Sequence, residues 1–66
     1  MKTQALRDLV KAIKNIDLAL WNVDPGENAA TIRISRRALI NIIFAEGYEI
    51  TKEYRLIKSE TQREQV

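Results

Sequence analysis

Asp24-Pro25-Gly26-Glu27-Asn28 is the clearest punctuation in this chain. Proline pre-sets the first central position of a turn, and glycine accepts a positive φ at the second. An aspartate just ahead supplies a side-chain acceptor. The chain has to turn here, so whatever precedes the segment and whatever follows it are separate elements.

Before the turn, Leu6, Leu9, Val10, Ile13, Ile16 and Leu20 recur at spacings of three and four, with Arg7, Asp8, Lys11, Lys14 and Asn15 between them. This pattern predicts an amphipathic helix from about residue 4 to about residue 21, with Thr3 as its N-cap. Leu18 and Trp21 fall off the main apolar stripe, so they pack under a loop or meet another chain.

After the turn, Ala30 to Ser35 alternates, with Ala30, Ile32 and Ile34 on one side and Thr31, Arg33 and Ser35 on the other. Period two with β-branched residues predicts a half-buried strand. Ser35 then suits the N-cap of a helix over residues 36 to 46. That helix contains Leu39, Ile40, Ile42, Ile43 and Phe44, so it is covered on more than one side. Gly47 stands where a helix commonly ends in a left-handed residue.

Residues 48 to 57 read two ways. As a strand, Tyr48, Ile50, Tyr54 and Leu56 share a face; as a helix, Ile50, Tyr54 and Ile57 align, with Thr51 as cap. The β-branched and aromatic content favours extended structure. Residues 59 to 66 are polar and aperiodic and read as a flexible tail. The expected domain is therefore residues 1 to 58, an α+β fold in the order helix, strand, helix, strand. A two-stranded sheet is poor by itself, so dimerisation or edge pairing should complete it.

The chain has 66 residues, 45% of them apolar and 30% charged, with no cysteine and no histidine. One small domain is all this length supports. Thiolate chemistry, disulfides and imidazole catalysis are excluded by composition. No nucleophile stands beside a base, no glycine-rich phosphate loop occurs, and no calcium-type acidic loop is present, so we expect neither an enzyme nor a cofactor or metal. No run of about 18 apolar residues exists to span a membrane, and the N-terminal segment is not a signal peptide, which makes the cytoplasm the expected location.

Charge is the remaining clue. The net charge is +2, yet residues 28 to 45 contain Arg33, Arg36 and Arg37 and no acid. On the strand-helix reading, Arg36 and Arg37 occupy a helix's first turn, where the free N–H groups repel cations by about 0.3–1 kcal/mol each. Removing them should then leave folding intact or improve it. With Ser35 and the exposed amides, Arg33, Arg36 and Arg37 form a candidate phosphate site. The opposing interpretation has the arginines solvated, with their stems laid over apolar neighbours. Arg7, Lys11 and Lys14 lie on a polar stripe of the first helix, interleaved with Asp8 and Asp17, and read as a solvated face. Trp21, Tyr48 and Tyr54 have rings of the kind that stack on bases, but they fall on apolar faces, as core or interface residues do.

Two stretches resemble known families. Thr31 to Leu56 loosely resembles ribbon-helix-helix repressors through its Thr-Ile-Arg-Ile-Ser alternation, following helix and glycine turn. The resemblance implies a strand paired across a dimer, with Thr31, Arg33 and Ser35 facing DNA. Residues 8 to 19, Asp-Leu-Val-Lys-Ala-Ile-Lys-Asn-Ile-Asp-Leu-Ala, resemble the first helix of the ribosomal protein S-eight family. Glu46-Gly47-Tyr48 is similar to that family's helix-to-strand junction, which implies RNA binding. Neither resemblance is taken as an identification. The expectation is a small nucleic-acid-binding or regulatory homodimer contacting DNA or RNA through Arg33, Ser35, Arg36 and Arg37. The competing expectation is a protein-interaction or inhibitor module, docking through an apolar patch or strand edge. On either reading, Leu18, Trp21 and Ile42 are the candidate interface residues.

Overall fold

The computed structural model describes residues 1–59. Helix α1 spans Thr3–Trp21 and helix α2 spans Glu27–Ala45; strands β1, Tyr48–Ile50, and β2, Leu56–Lys58, form an antiparallel hairpin. The fold is α+β, in the order α1-α2-β1-β2.

Helix α1 follows the expected period and buries Leu6, Val10 and Ile13. Its N-cap is Lys2 without a side-chain bond, so Thr3 is the first helical residue, not the cap. The turn falls where Pro25 and Gly26 stand, between Trp21 and Glu27, and Glu27 and Asn28 already belong to α2.

The expected strand at residues 30 to 35 is helix instead, and that corrects the element order. Alternation over six residues is outvoted by a longer period: Ala29, Ile32, Arg36, Leu39, Ile40 and Ile43 all turn inward to some degree. Three- and four-residue spacing sustained for four turns is a stronger signal than a short alternation. The hydroxyls that looked like strand or cap groups are satisfied inside the helix. Thr31 Oγ1 donates to the Glu27 carbonyl at 3.1 Å, and Ser35 Oγ donates to the Thr31 carbonyl at 3.2 Å. Ser35 is therefore mid-helix and caps nothing. Ile34, placed inward by the alternation, is 70% exposed. The strand that the ribbon-helix-helix resemblance implied is absent with it.

Glycine at position 47 ends α2 in the left-handed region, at φ 88°, and its N–H bonds the Phe44 carbonyl at 2.9 Å. A side chain there would cost about 1 kcal/mol or more, which is why glycine serves. The chain then enters β1 directly, as Glu46-Gly47-Tyr48 suggested.

Residues 48 to 57 are not one continuous strand but a hairpin, in register Tyr48↔Lys58, Glu49↔Ile57 and Ile50↔Leu56. Thr51 makes the turn: its Oγ1 accepts from the Glu53 and Arg55 amides at 3.3 and 3.1 Å. Its own N–H bonds the Arg55 carbonyl at 2.9 Å. Ser59 N–H bonds the Gly47 carbonyl at 3.0 Å, and Ser59 is buried. The rest of the expected tail, residues 60–66, lies outside the described residues.

Leu6, Val10, Ile13 and Ile43 form the core, with Leu9, Leu39, Ile40, Tyr48, Ile50, Tyr54 and Leu56 packed around them. The core therefore sits where the first half of α1, the second half of α2 and the hairpin meet. Toward the interhelical turn, among the described residues, only the two helices continue, and Ala29 is the one buried residue there. Among the described residues no helix is long and apolar enough to cross a membrane. Ile43→Ala should lower stability by about 2–5 kcal/mol, whereas Ile34→Ala should cost under about 0.5 kcal/mol. Denaturant midpoints measured on both variants check the difference, which the strand reading, with Ile34 facing inward as well, would have removed.

Candidate functional site

On α2, Arg33, Arg36, Arg37, Ile40 and Asn41 stand at i, i+3, i+4, i+7 and i+8, which is one helical face. Together with Leu20 of α1 they line an open groove of about 670 Å³. The three arginines singled out from sequence are thus brought together, though by helical spacing and not by a helix N-terminus. Ser35 points elsewhere and spends its hydroxyl on the helix backbone, so it leaves the site. Arg36 and Arg37 lie nine and ten residues beyond Glu27, the helix's first residue. The helix-end repulsion expected of them does not operate there, because it falls off within the first turn.

The groove is anchored by a residue that the sequence did not mark. Asp17 of α1 accepts a two-pronged contact from Arg36, Nε to Oδ1 at 2.5 Å and Nη2 to Oδ2 at 3.3 Å. Tyr54 of the hairpin turn donates its hydroxyl to Oδ2 at 2.6 Å. One carboxylate therefore ties α1, α2 and the hairpin together. Its side chain is 20% exposed, so the charges are partly withdrawn from water and need these partners. Lys14 Nζ lies 5.9 Å from the centroid of the Tyr54 ring, an added cation–π contact.

Holding Tyr54 there has a cost. Its φ is 61°, in the left-handed region where a non-glycine side chain is disfavoured by about 1–2 kcal/mol. Nothing in Thr51-Lys52-Glu53-Tyr54-Arg55 looks like a tight turn, since glycine and asparagine are absent. The hydroxyl bond to Asp17 and the packing of the ring on the core supply what the local sequence lacks.

Among the described residues, neither Arg33 nor Arg37 pairs with a carboxylate. The groove therefore presents two uncommitted guanidiniums beside a neutralised ion pair. Such a surface holds an anion by charge-assisted hydrogen bonds. Its floor and wall, Leu20 and Ile40, supply an apolar strip beside the charges. Among the described residues no three metal-ligating side chains cluster.

The other candidates divide. Trp21 is 86% exposed, which removes it from the core, and Leu18 is 55% exposed nearby on the same helix. Ile42 is also exposed, on a different face of α2 from the arginines. Tyr48 is half-buried against the core. Asp17, Leu20, Tyr54 and Asn41 were missed; the spacing from Arg33 to Asn41, read at 3.6 per turn, would have found the last of these. Comparisons with protein-family models, with curated proteins and with solved structures give no match to this chain.

The Asp17 carboxyl is pushed up by burial, but the hydrogen bonds from Arg36 and Tyr54, with the charge of Arg36, outweigh this and hold it below its ordinary value. A folded value below the unfolded one contributes stability at neutral pH, lost as pH falls through the folded value. The Tyr54 hydroxyl is raised, first by its bond to Asp17 and then by burial and the Asp17 charge, with Arg36 opposing. Its contribution is present below the ordinary tyrosine value and is lost as pH rises through the raised one. Asp17→Asn should cost about 1 kcal/mol near pH 7. The gap between wild type and this variant should close as pH falls below the ordinary aspartate range. Chemical denaturation across pH measures it, and a gap that widens in acid would contradict the network.

Proposed function

We propose that this protein is a small nucleic-acid-binding module, regulatory in role, that contacts phosphates through the arginine face of α2. The observation that carries the reading is the groove itself: Arg33, Arg36 and Arg37 line it and, among the described residues, no carboxylate does. Asp17 lies at its edge, but Arg36 and Tyr54 compensate its charge. Guanidiniums recognise phosphate with two donors at once, and they keep their charge at any physiological pH. The groups present suit binding and not catalysis, because guanidinium and amide donors hold an anion without acting as nucleophiles. A cytoplasmic location accords with this role.

Arg36 differs from its neighbours in this scheme. It is a positioning residue, holding Asp17 and through it the hairpin, while Arg33 and Arg37 meet the ligand. Arg33→Ala with Arg37→Ala should therefore leave the melting temperature nearly unchanged. It should weaken binding to mixed DNA and RNA at about 50 mM salt at least tenfold and flatten the salt slope by about two. Arg36→Ala should lower stability, opposite to what a helix-end position would give. Fluorescence anisotropy across a salt series checks the first pair, and calorimetry checks the second. Unchanged affinity in the Arg33, Arg37 double variant would remove the reading.

A second reading, a protein-interaction module, is favoured by the uncharged stripe Ile34, Ala38, Ile42 and Ala45, exposed at helical spacing on α2. A charge-free stripe sets no like charges against each other across a two-fold axis, so on this reading the occupant we propose is a second copy of the chain. This is also the form that a homodimeric nucleic-acid binder would take. Sedimentation at on the order of 10 µM should show a dimer. Ile42→Glu should return it to monomer while the fold persists.

A further inference from the structure

Leu20 lines the arginine groove and also a second hollow of about 440 Å³, shared with Asp17, Trp21 and Tyr54. The two linings share Leu20, and the Asp17–Arg36 pair links a residue of one to a residue of the other, so we treat them as one surface. Arginines border it on the α2 side and Trp21 on the α1 side. Trp21 carries the largest apolar side chain of the molecule, yet it is 86% exposed. An indole left in water beside a cationic groove gains from any flat, electron-rich partner that covers it.

The other rings do not offer this. Tyr54 has its hydroxyl committed to Asp17 and Lys14 over its ring. Tyr48 is half-buried against the core, and Phe44 lies in the last turn of α2, about two turns beyond Arg37. Trp21 is the ring with an open face next to the arginines.

Geometry then separates two kinds of nucleic acid. Arg33 and Arg37 are one helical turn apart, about 6 Å along the axis, close to one backbone step of an extended strand. The surface is concave, lying between two helices with the hairpin tip as a wall. Reading a duplex calls for an element that projects into a groove. In a duplex, moreover, each base is already stacked on its neighbours and has no face left for an indole. An unpaired base has one.

Building on the phosphate-contact reading above, we propose that this surface binds single-stranded nucleic acid, with Arg33 and Arg37 on successive phosphates and Trp21 stacked on an unpaired base. Stacking of this kind tolerates any base, because every base has a π-face. Sequence preference is accordingly weak, and Asp17, tied to Arg36, orients the groove without meeting the ligand.

Trp21 is the only tryptophan in the chain, so its own fluorescence reports on the contact. The intact protein is titrated with an oligothymidylate strand, a duplex of equal length and an abasic strand of equal length. The expected result is quenching by oligothymidylate and none by the abasic strand, with the duplex bound at least tenfold more weakly than oligothymidylate. Trp21→Ala should weaken oligothymidylate binding between about fivefold and a hundredfold and leave the abasic strand unaffected. Trp21→Phe should retain most of the affinity, because a smaller ring still stacks. The salt slope should be the same in all three proteins, since no phosphate contact is lost. Equal binding of base-bearing and abasic strands without quenching would overturn the stacking inference and leave the phosphate reading standing. Tighter binding of the duplex would overturn the single-strand assignment alone. No binding of any strand at low salt would overturn both.

Discussion

The carboxylate of Asp17 is the point on which the arrangement of this molecule turns. It projects from α1 at the level where the buried core gives out, and it is matched by Arg36 from α2 and Tyr54 from the hairpin. A charge at this depth costs free energy unless hydrogen bonds replace the water it loses. Three elements distant in sequence are therefore constrained to one mutual position by one side chain. The apolar core specifies that the helices and hairpin pack. The network specifies how far along the helices the hairpin tip sits.

That placement divides the molecule into two ends. At one end Leu6, Val10, Ile13 and Ile43 are buried beneath the hairpin and supply the stability. At the other, α1 and α2 continue as a pair, and the chain extends 44 Å along its longest axis against 20 and 19 Å across. The exposed Trp21, Leu18 and Ile34 all belong to the second end or its outer faces. A two-helix arm has no third layer to cover such side chains, so it displays them. The arginine groove lies at the boundary, where the core still holds the backbone rigid and solvent still reaches the side chains. That is a suitable place for a binding surface, since the scaffold fixes the geometry and the ligand pays little to order it.

Strain at Tyr54 fits the same account. A tyrosine in the left-handed region is disfavoured locally, and only a tertiary contact justifies it. Its hydroxyl reaches Asp17 from that conformation, so the network and the hairpin turn stabilise each other. Thr51, which accepts two amide hydrogens across the turn, makes up for the missing glycine.

Helix α1 was legible in the chain because its apolar period runs unbroken for five turns, and Pro25-Gly26 and Gly47 were legible because their backbone requirements are local. The clustering of Arg33, Arg36 and Arg37 was legible as composition but not as geometry. Six residues of alternation, Ala30 to Ser35, suit either period, and the longer run of inward positions from Ala29 through Ile32, Arg36 and Leu39 to Ile43 selects the helix. With that choice Ser35 left the site and Ile34 turned to solvent. The left-handed Tyr54 and the role of Asp17 had no local signal, because they depend on partners 19 to 37 residues away. The hairpin turn rests on Thr51 in place of the glycine or asparagine that marks a turn in sequence. Sequence by itself determined where this chain turns and which of its faces are apolar, since those follow from nearest-neighbour backbone and side-chain chemistry. The tertiary structure decided which arginines share a groove, which carboxylate is compensated and which aromatic stays in water, since those are set by long-range packing and the electrostatics of partial burial.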